Sequence, residues 1–240
     1  MSTGRRSDGI SILLPTRGRP DNVERLVQSA EATVAAPTRL EFVFYVDDDD
    51  HATIRRLIDL EVRTRVRFVI RMGPRRLLSE CWNECARHAT NEIMMHCGDD
   101  IVFRSADWDQ YVREVFDGVP DKIALVHGRD GFQDGKLATH GFTHVRWMDT
   151  VGYFVPPYFA SDYNDTWLTE VADSLARRWY LPEVFTEHMH PVAGKGEWDV
   201  THQERIERHR ADDCDEIWRR TAPQRVIDIE KLRAVIDAGA

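Results

Sequence analysis

Four short apolar runs, each β-rich and each followed by a polar or glycine-containing break, constrain this chain more than any other feature. The first, ISILL (10–14), ends at PTRGRP, and the pattern over 21–35 then places Val23, Leu26, Val27 and Ala30 at helical spacing. The second, LEFVFYV (40–46), stops at four consecutive aspartates (47–50), and residues 51–61 read as a short helix. VRFVI (66–70) is the third, broken by Gly73-Pro74 before a helix at about 75–89. The fourth is EIMMHC (92–97), which ends at GDD. Strand and helix alternating at this spacing predict an α/β fold with a mostly parallel sheet and helices packed on it. In such sheets the ligand crevice lies beyond the carboxyl ends of the strands. Polar clusters stand at three of those ends: 16–19 (TRGR), 47–50 (DDDD) and 98–100 (GDD).

The second half is less regular. WDQYVREVF (108–116) reads as a helix and KIALVHG (122–128) as a strand. Residues 142–167 carry eight aromatics, then 165–179 look helical and 182–191 strand-like, and 202–237 form one or two charged helices. The expected organisation is one main domain over 1–200, with 201–240 as a helical extension packed on it. Within that extension Ile206, Cys214, Ile217 and Trp218 could form a dimer seam.

Composition excludes several classes. An apolar fraction of 42% can bury a core, so the chain is not a disordered tail. No apolar run approaches the roughly 18–20 residues of a membrane span, and MSTGRRSDG lacks the apolar stretch of a signal peptide. With only four cysteines in 240 residues, a reduced cytoplasmic compartment is expected. A net charge of −9 argues against indiscriminate binding to nucleic acid or membrane. Even so, eight arginines crowd 55–76 (Arg55, Arg56, Arg63, Arg65, Arg67, Arg71, Arg75 and Arg76). Arginine suits bidentate phosphate contact, although a solvated charged face explains most of such a run.

Missing motifs narrow the chemistry. No GxGxxG follows the first strand, and GxxxxGK[ST], GxSxG and HExxH are all absent. Phosphate would therefore be met by arginines or a metal rather than a glycine cradle. Asp99-Asp100, after Gly98 at a strand end, offers hard oxygen ligands suited to Mg²⁺ or Mn²⁺ beside substrate phosphates. His188 and His190 share one face of a strand, either completing such a site or packing as core histidines. Asp165 reads as a helix N-cap, whereas Asp162 has no such structural use and suits a general base. Cys81, Cys85 and His88 share a helical face, but their spacing fits no common zinc motif, and buried small apolar groups is the preferred reading.

Taken in order, SILLPTRGRP, FVFYVDDDD, GPRRLLSECWNECA, MMHCGDDIVF and ASDYNDTW resemble the nucleotide-sugar glycosyltransferases of GT-A fold, family 2, over roughly residues 10–190. The resemblance implies a Rossmann-like, mostly parallel central sheet flanked by helices. It implies that Thr16, Arg17 and Arg19 contact the donor nucleotide, and that Asp48, with Asp47 adjacent, accepts a hydrogen bond from a uracil ring. By the same resemblance Arg75 or Arg76 reaches the base or diphosphate, and Asp99 lies by the ribose. Asp100, with His188 or His190, would hold a divalent ion (Mn²⁺ or Mg²⁺). Asp162 falls where the family places the base of an inverting transfer. Two positions depart from the usual pattern: Cys97-Gly98-Asp99-Asp100 stands where many members have DxD, and Ser161-Asp162 where a Glu-Asp pair is usual.

The partners that the resemblance implies are a nucleotide-sugar donor, a UDP-sugar, and an acceptor hydroxyl on a glycan or small molecule. A hydroxymethylated pyrimidine in DNA is the alternative, served by the 55–76 arginines and the 142–167 aromatics. A nucleotide-sugar binding module or hydrolase without transfer activity is the alternative of another class.

Overall fold

The computed structural model describes residues 7–239. Residues 1–6, on which the expectation of a leaderless N-terminus partly rests, and Ala240 lie outside the described residues. The strands are β1 (Ser7–Thr16), β2 (Leu40–Asp47), β3 (Arg67–Gly73), β4 (Asn91–His96), β5 (Ile101–Phe103), β6 (Leu125–Arg129), β7 (Gly141–His144) and β8 (Arg178–His188). The helices are α1 (Pro20–Thr33), α2 (His51–Glu61), α3 (Leu78–His88), α4 (Trp108–Gly118), α5 (Val145–Val151), α6 (Asn164–Ser174), α7 (Val200–Ala211), α8 (Cys214–Arg220) and α9 (Ala222–Ala238). They surround one sheet of order β3-β2-β1-β4-β7-β6-β8-β5. β1 pairs in parallel with β2 and β4, and β2 with β3, while β7 runs antiparallel between β4 and β6.

Why the sheet is covered on both faces is visible in β1 and β2. Every residue of β2 is buried, as a parallel strand between two helical layers requires. Strand side chains alternate between faces. Ile10, Ile12 and Leu14 therefore join Phe42, Phe44 and Val46 in one core, with Val23, Leu26 and Val27 of α1 and Leu57 of α2. The intervening Leu13, Val43 and Tyr45 enter the other core, against Cys81, Trp82 and Cys85 of α3 and Trp167 and Leu168 of α6.

That second core also takes in the C-terminal helices through Cys214 and Leu232, with Ile217 and Trp218 packed against it. The apolar residues expected to form a dimer seam are thus largely consumed within the chain. All four cysteines are free and buried. Burial pushes the Cys81 thiol up to about 12 and the Cys85 thiol well above its ordinary value, in keeping with apolar packing rather than metal ligation.

Three expectations need correcting. The helix expected at 165–179 is α6, ending at Ser174, and the strand expected at 182–191 is β8, which begins at Arg178 and ends at His188. Pro182 masks the start of β8, because proline cannot donate to a ladder. The structure accommodates it by a register shift, with Gly128 opposite Leu181 but Arg129 opposite Phe185. Gly128 is required there, since a Cβ would come within 2.2 Å of the Val184 carbonyl oxygen. Nor is Asp165 the N-cap of α6. Tyr163 holds that position in a left-handed conformation (φ 74°), and Asp165 lies in the first turn.

In the two stretches read for DNA contact, five of the eight arginines have acidic partners and five of the eight aromatics are buried. Arg56 pairs with Asp21 and Glu24, Arg63 with Glu24, Arg65 with Glu31, Arg67 with Glu41, and Arg75 with Glu204. Phe142, Trp147, Phe154, Phe159 and Trp167 are core residues.

Candidate active site

The carboxyl ends of β1, β2 and β4 open into one cleft of about 490 Å³. Thr16, Arg17, Arg19, Asp47, Arg75, Arg76, Asp99, Asp100, Asp162, His188 and His190 all line it. Asp48 does not: its side chain is exposed, and its neighbour Asp47 faces the cleft instead.

At the β1–β2 end the basic residues are held by carboxylates. Arg17 donates to Asp47 at 2.9 Å and also pairs with Asp49. Arg19 donates to Asp99 at 2.8 Å and to Asp199, just before α7, at 2.7 Å. The second oxygen of Asp99 accepts from the Thr16 hydroxyl at 2.8 Å, so a buried carboxylate joins the ends of β1 and β4. Arg75 pairs with Glu204 of α7 at 2.7 Å, and Arg76 rests 5.8 Å from the Tyr45 ring.

At the centre, Asp100, His140 and His188 place one ligand atom each within 4.8 Å of one another. His188 Nε2 donates to Asp100 at 3.3 Å, and its Nδ1 lies 3.6 Å from Asp130. Burial disfavours the His188 imidazolium, but the two carboxylates outweigh it and raise its pKa to about 9. Burial would likewise raise Asp100, yet the His188 contact brings it well below the usual carboxylate range. Burial, helped by the His188 charge, lowers His140 to about 3, and His140 Nε2 is buried with no hydrogen-bond partner. A buried imidazole nitrogen without a partner costs free energy unless something coordinates it.

His190 is not in this cluster. It stacks on Phe132, ring centroids 5.6 Å apart and 9° from parallel. Burial, with the His188 charge, lowers its pKa to about 4.

On the α6 side, Asp162 is gripped from α7. Arg205 donates to one oxygen, and His209 Nδ1 lies 2.7 Å from the other. His209 Nε2 is 3.3 Å from Asp215, which also accepts from the Tyr163 hydroxyl at 2.6 Å.

Burial pushes the neighbouring Asp165 carboxyl from near 3.8 up to about 6, and the Asp162 charge adds to it. Between those values the folded chain binds the extra proton, so stability falls as pH rises through the window and levels off above it. Asp165→Asn removes that penalty. Its melting temperature should exceed that of the wild type at pH 7.5 by more than it does at pH 4, as thermal melts at the two pH values would show.

Sequence reading found the strand-end residues but missed His140, Asp130, Arg205 and His209. His140 stands alone in KLATHGF (136–142), and only the β7 pairing with β4 brings it beside Gly98. No local spacing signals it.

No protein-family model matches the sequence, and no curated protein matches it either. Solved structures do. The mannosyltransferase PcManGT from Pyrobaculum calidifontis, in complex with GDP-Man and Mn²⁺, aligns over 98% of this chain and 75% of its own, with a TM-score of 0.64 and 15% identity. TarS 1–349 from S. aureus in complex with UDP aligns over 84% and 71%, with a TM-score of 0.59 and 12% identity. The complex of the same fragment with UDP-GlcNAc aligns over 76% and 59%, with a TM-score of 0.57 and 12% identity. At these identities the likeness establishes architecture: the chain has the GT-A-type α/β fold that these structures share.

Proposed function

We propose that this chain is a metal-dependent, inverting glycosyltransferase that moves a sugar from a nucleoside-diphosphate donor, a UDP- or GDP-sugar, to an acceptor hydroxyl. The observation that carries this reading is the convergence at one cleft of a basic end, a buried Asp/His/His cluster that reaches it through Asp100 and His188, and the carboxylate of Asp162. The GT-A-type fold supports it, as do the donors seen with its neighbours, GDP-Man, UDP and UDP-GlcNAc.

Asp100, His140 and His188 fit a divalent cation, because they bring one ligand atom each within 4.8 Å of one another and His140 Nε2 is buried without a hydrogen-bond partner. Two imidazoles and one carboxylate suit Mn²⁺ better than Mg²⁺, which prefers oxygen. When bound, the ion would supply Lewis-acid neutralisation of the departing diphosphate. Asp130, behind His188, would act as the outer carboxylate that orients a ligating imidazole.

The chain's own residues then divide the work. Thr16 and Asp99 hold the ribose end, and Asp47, with the exposed Asp48 adjacent to it, serves the base. Arg17, Arg19 and Arg75 exchange carboxylate contacts for phosphate oxygens and Arg76 swings from the Tyr45 ring to join them, placing positive charge where the leaving group gains negative charge. Asp162, aimed by Arg205 and His209, takes the proton from the acceptor hydroxyl as it attacks the anomeric carbon. The described residues of 1–200 form the transferase domain and those of 201–240 an extension packed on it. The buried free cysteines suit a reducing, cytoplasmic setting. No helix among the described residues is long and apolar enough to cross a membrane.

A single displacement inverts the sugar. With an α-linked donor, proton NMR of the isolated product should show the β-anomer; an α-linked product would contradict the inverting role of Asp162.

A further inference from the structure

His190 is left without a task by the metal cluster, and its surroundings give it another. It forms the centre of a cluster of rings beside the cleft: Phe132 is stacked on it, Trp198 stands edge-on at 6.3 Å, and His202 stands edge-on at 5.4 Å from it and 5.5 Å from Trp198. The His190 ring also lies beside the metal cluster, 5.2 Å from the His188 ring. Phe132 is 37% exposed and Trp198 59% exposed.

Phe132 is not exposed through slackness. One oxygen of the buried Asp130 accepts from the backbone N–H groups of Phe132, Gln133 and Asp134 at 2.9, 2.7 and 2.7 Å. The other accepts from the Thr139 hydroxyl at 2.7 Å. A carboxylate satisfied four times over thus fixes the loop that presents the ring. Exposed apolar surface held rigidly at a cleft marks a ligand surface.

The charge pattern selects the ligand. The β6–β7 segment lends the cleft Phe132, Gln133, Leu137 and Thr139, none of them charged. The charges that do reach the rings are paired: Arg19, 2.8 Å from His202, with Asp99 and Asp199, and nearby Lys195 and Arg104 with Glu187. A wall of rings without an unpaired charge, with an amide and a hydroxyl beside it, suits a pyranose. The C–H face of such a sugar packs on the negative face of an aromatic ring, and its hydroxyls meet the polar groups.

We propose that Phe132, His190 and Trp198 form a stacking platform for a pyranose ring of a neutral saccharide. Calling that saccharide the acceptor rests on the transferase reading above; the binding itself does not.

The test is saturation-transfer NMR on the full chain with Mn²⁺, using methyl α-mannopyranoside, methyl β-glucopyranoside and methyl N-acetyl-β-glucosaminide as probes. At least one should receive saturation on the protons of one ring face. Phe132→Ala or Trp198→Ala should weaken its binding at least about fivefold, as truncating a packed aromatic contact does, while Phe132→Tyr retains it. Circular dichroism confirms that each variant is folded. Saturation of none of the three glycosides, or binding unchanged in both alanine variants, overturns the platform. So does a single-stranded oligonucleotide whose binding, rather than that of a glycoside, depends on Phe132. Phe132-dependent glycoside binding without transfer from any nucleotide sugar would sink the transferase reading and leave the platform standing. Transfer to a saccharide at a rate that ignores both alanine variants would sink the platform alone.

Discussion

Asp100→Ala should abolish metal-dependent donor binding. Disturbing even an outer partner of a metal site commonly costs about 10–100-fold in affinity or activity, and Asp100 is the only carboxylate in the buried Asp/His/His cluster. Its removal also leaves the His188 proton facing Asp130 alone, 3.6 Å away. The expected result is loss of the Mn²⁺-dependent part of nucleotide binding by calorimetry, with turnover reduced at least about 100-fold. His140→Ala should behave similarly, because its buried Nε2 has no other partner, whereas His190→Ala should leave metal affinity near that of the wild type. Donor affinity that stays unchanged with Mn²⁺ in Asp100→Ala would refute the metal assignment.

Asp162→Asn should separate binding from chemistry. An amide keeps the size of the side chain but cannot take the acceptor proton, and a positioned base contributes roughly 10²–10⁴-fold. Transfer should therefore fall by about that factor while donor affinity is retained. His209→Ala, which removes the group 2.7 Å from Asp162, should lower kcat in the wild-type background and do little more once Asp162 is asparagine. Transfer at the wild-type rate in Asp162→Asn would remove it as the base, and an additive effect of His209→Ala would show that His209 acts elsewhere.

The half of the molecule built from local repetition was legible from sequence. β1 to β4 announce themselves by apolar runs and turn residues, and the rule that ligands sit beyond parallel strand ends brought Thr16, Arg17, Asp47 and Asp99 together before any coordinates. The rest depends on non-local pairing. β5 is three residues and β7 four, too short for a periodic signal, and β8 hides behind Pro182. His140 and Asp130 reach the Asp100–His188 cluster only because β7 and β6 lie beside β4 and β8. Alternation placed His188 and His190 on one strand face, but β8 ends at His188, so the chain turns and His190 leaves the cluster. The arginines of 55–76 and the aromatics of 142–167 left the DNA alternative open for a common reason: composition does not reveal a partner. Glu24, Glu31, Glu41 and Glu204 neutralise most of the first group, and the core takes most of the second.

The central claim, a divalent ion and a nucleoside diphosphate held together in this cleft, is met most directly by binding of UDP, GDP, CDP, TDP and their sugars with and without Mn²⁺, read as thermal stabilisation. A ligand at about 100 times its dissociation constant stabilises by roughly 2.7 kcal/mol, enough to move a melting curve clearly. The account predicts a Mn²⁺-dependent rise with one nucleotide family that Asp100→Ala eliminates. No rise with any nucleotide, or a rise indifferent to both Mn²⁺ and Asp100, would contradict it.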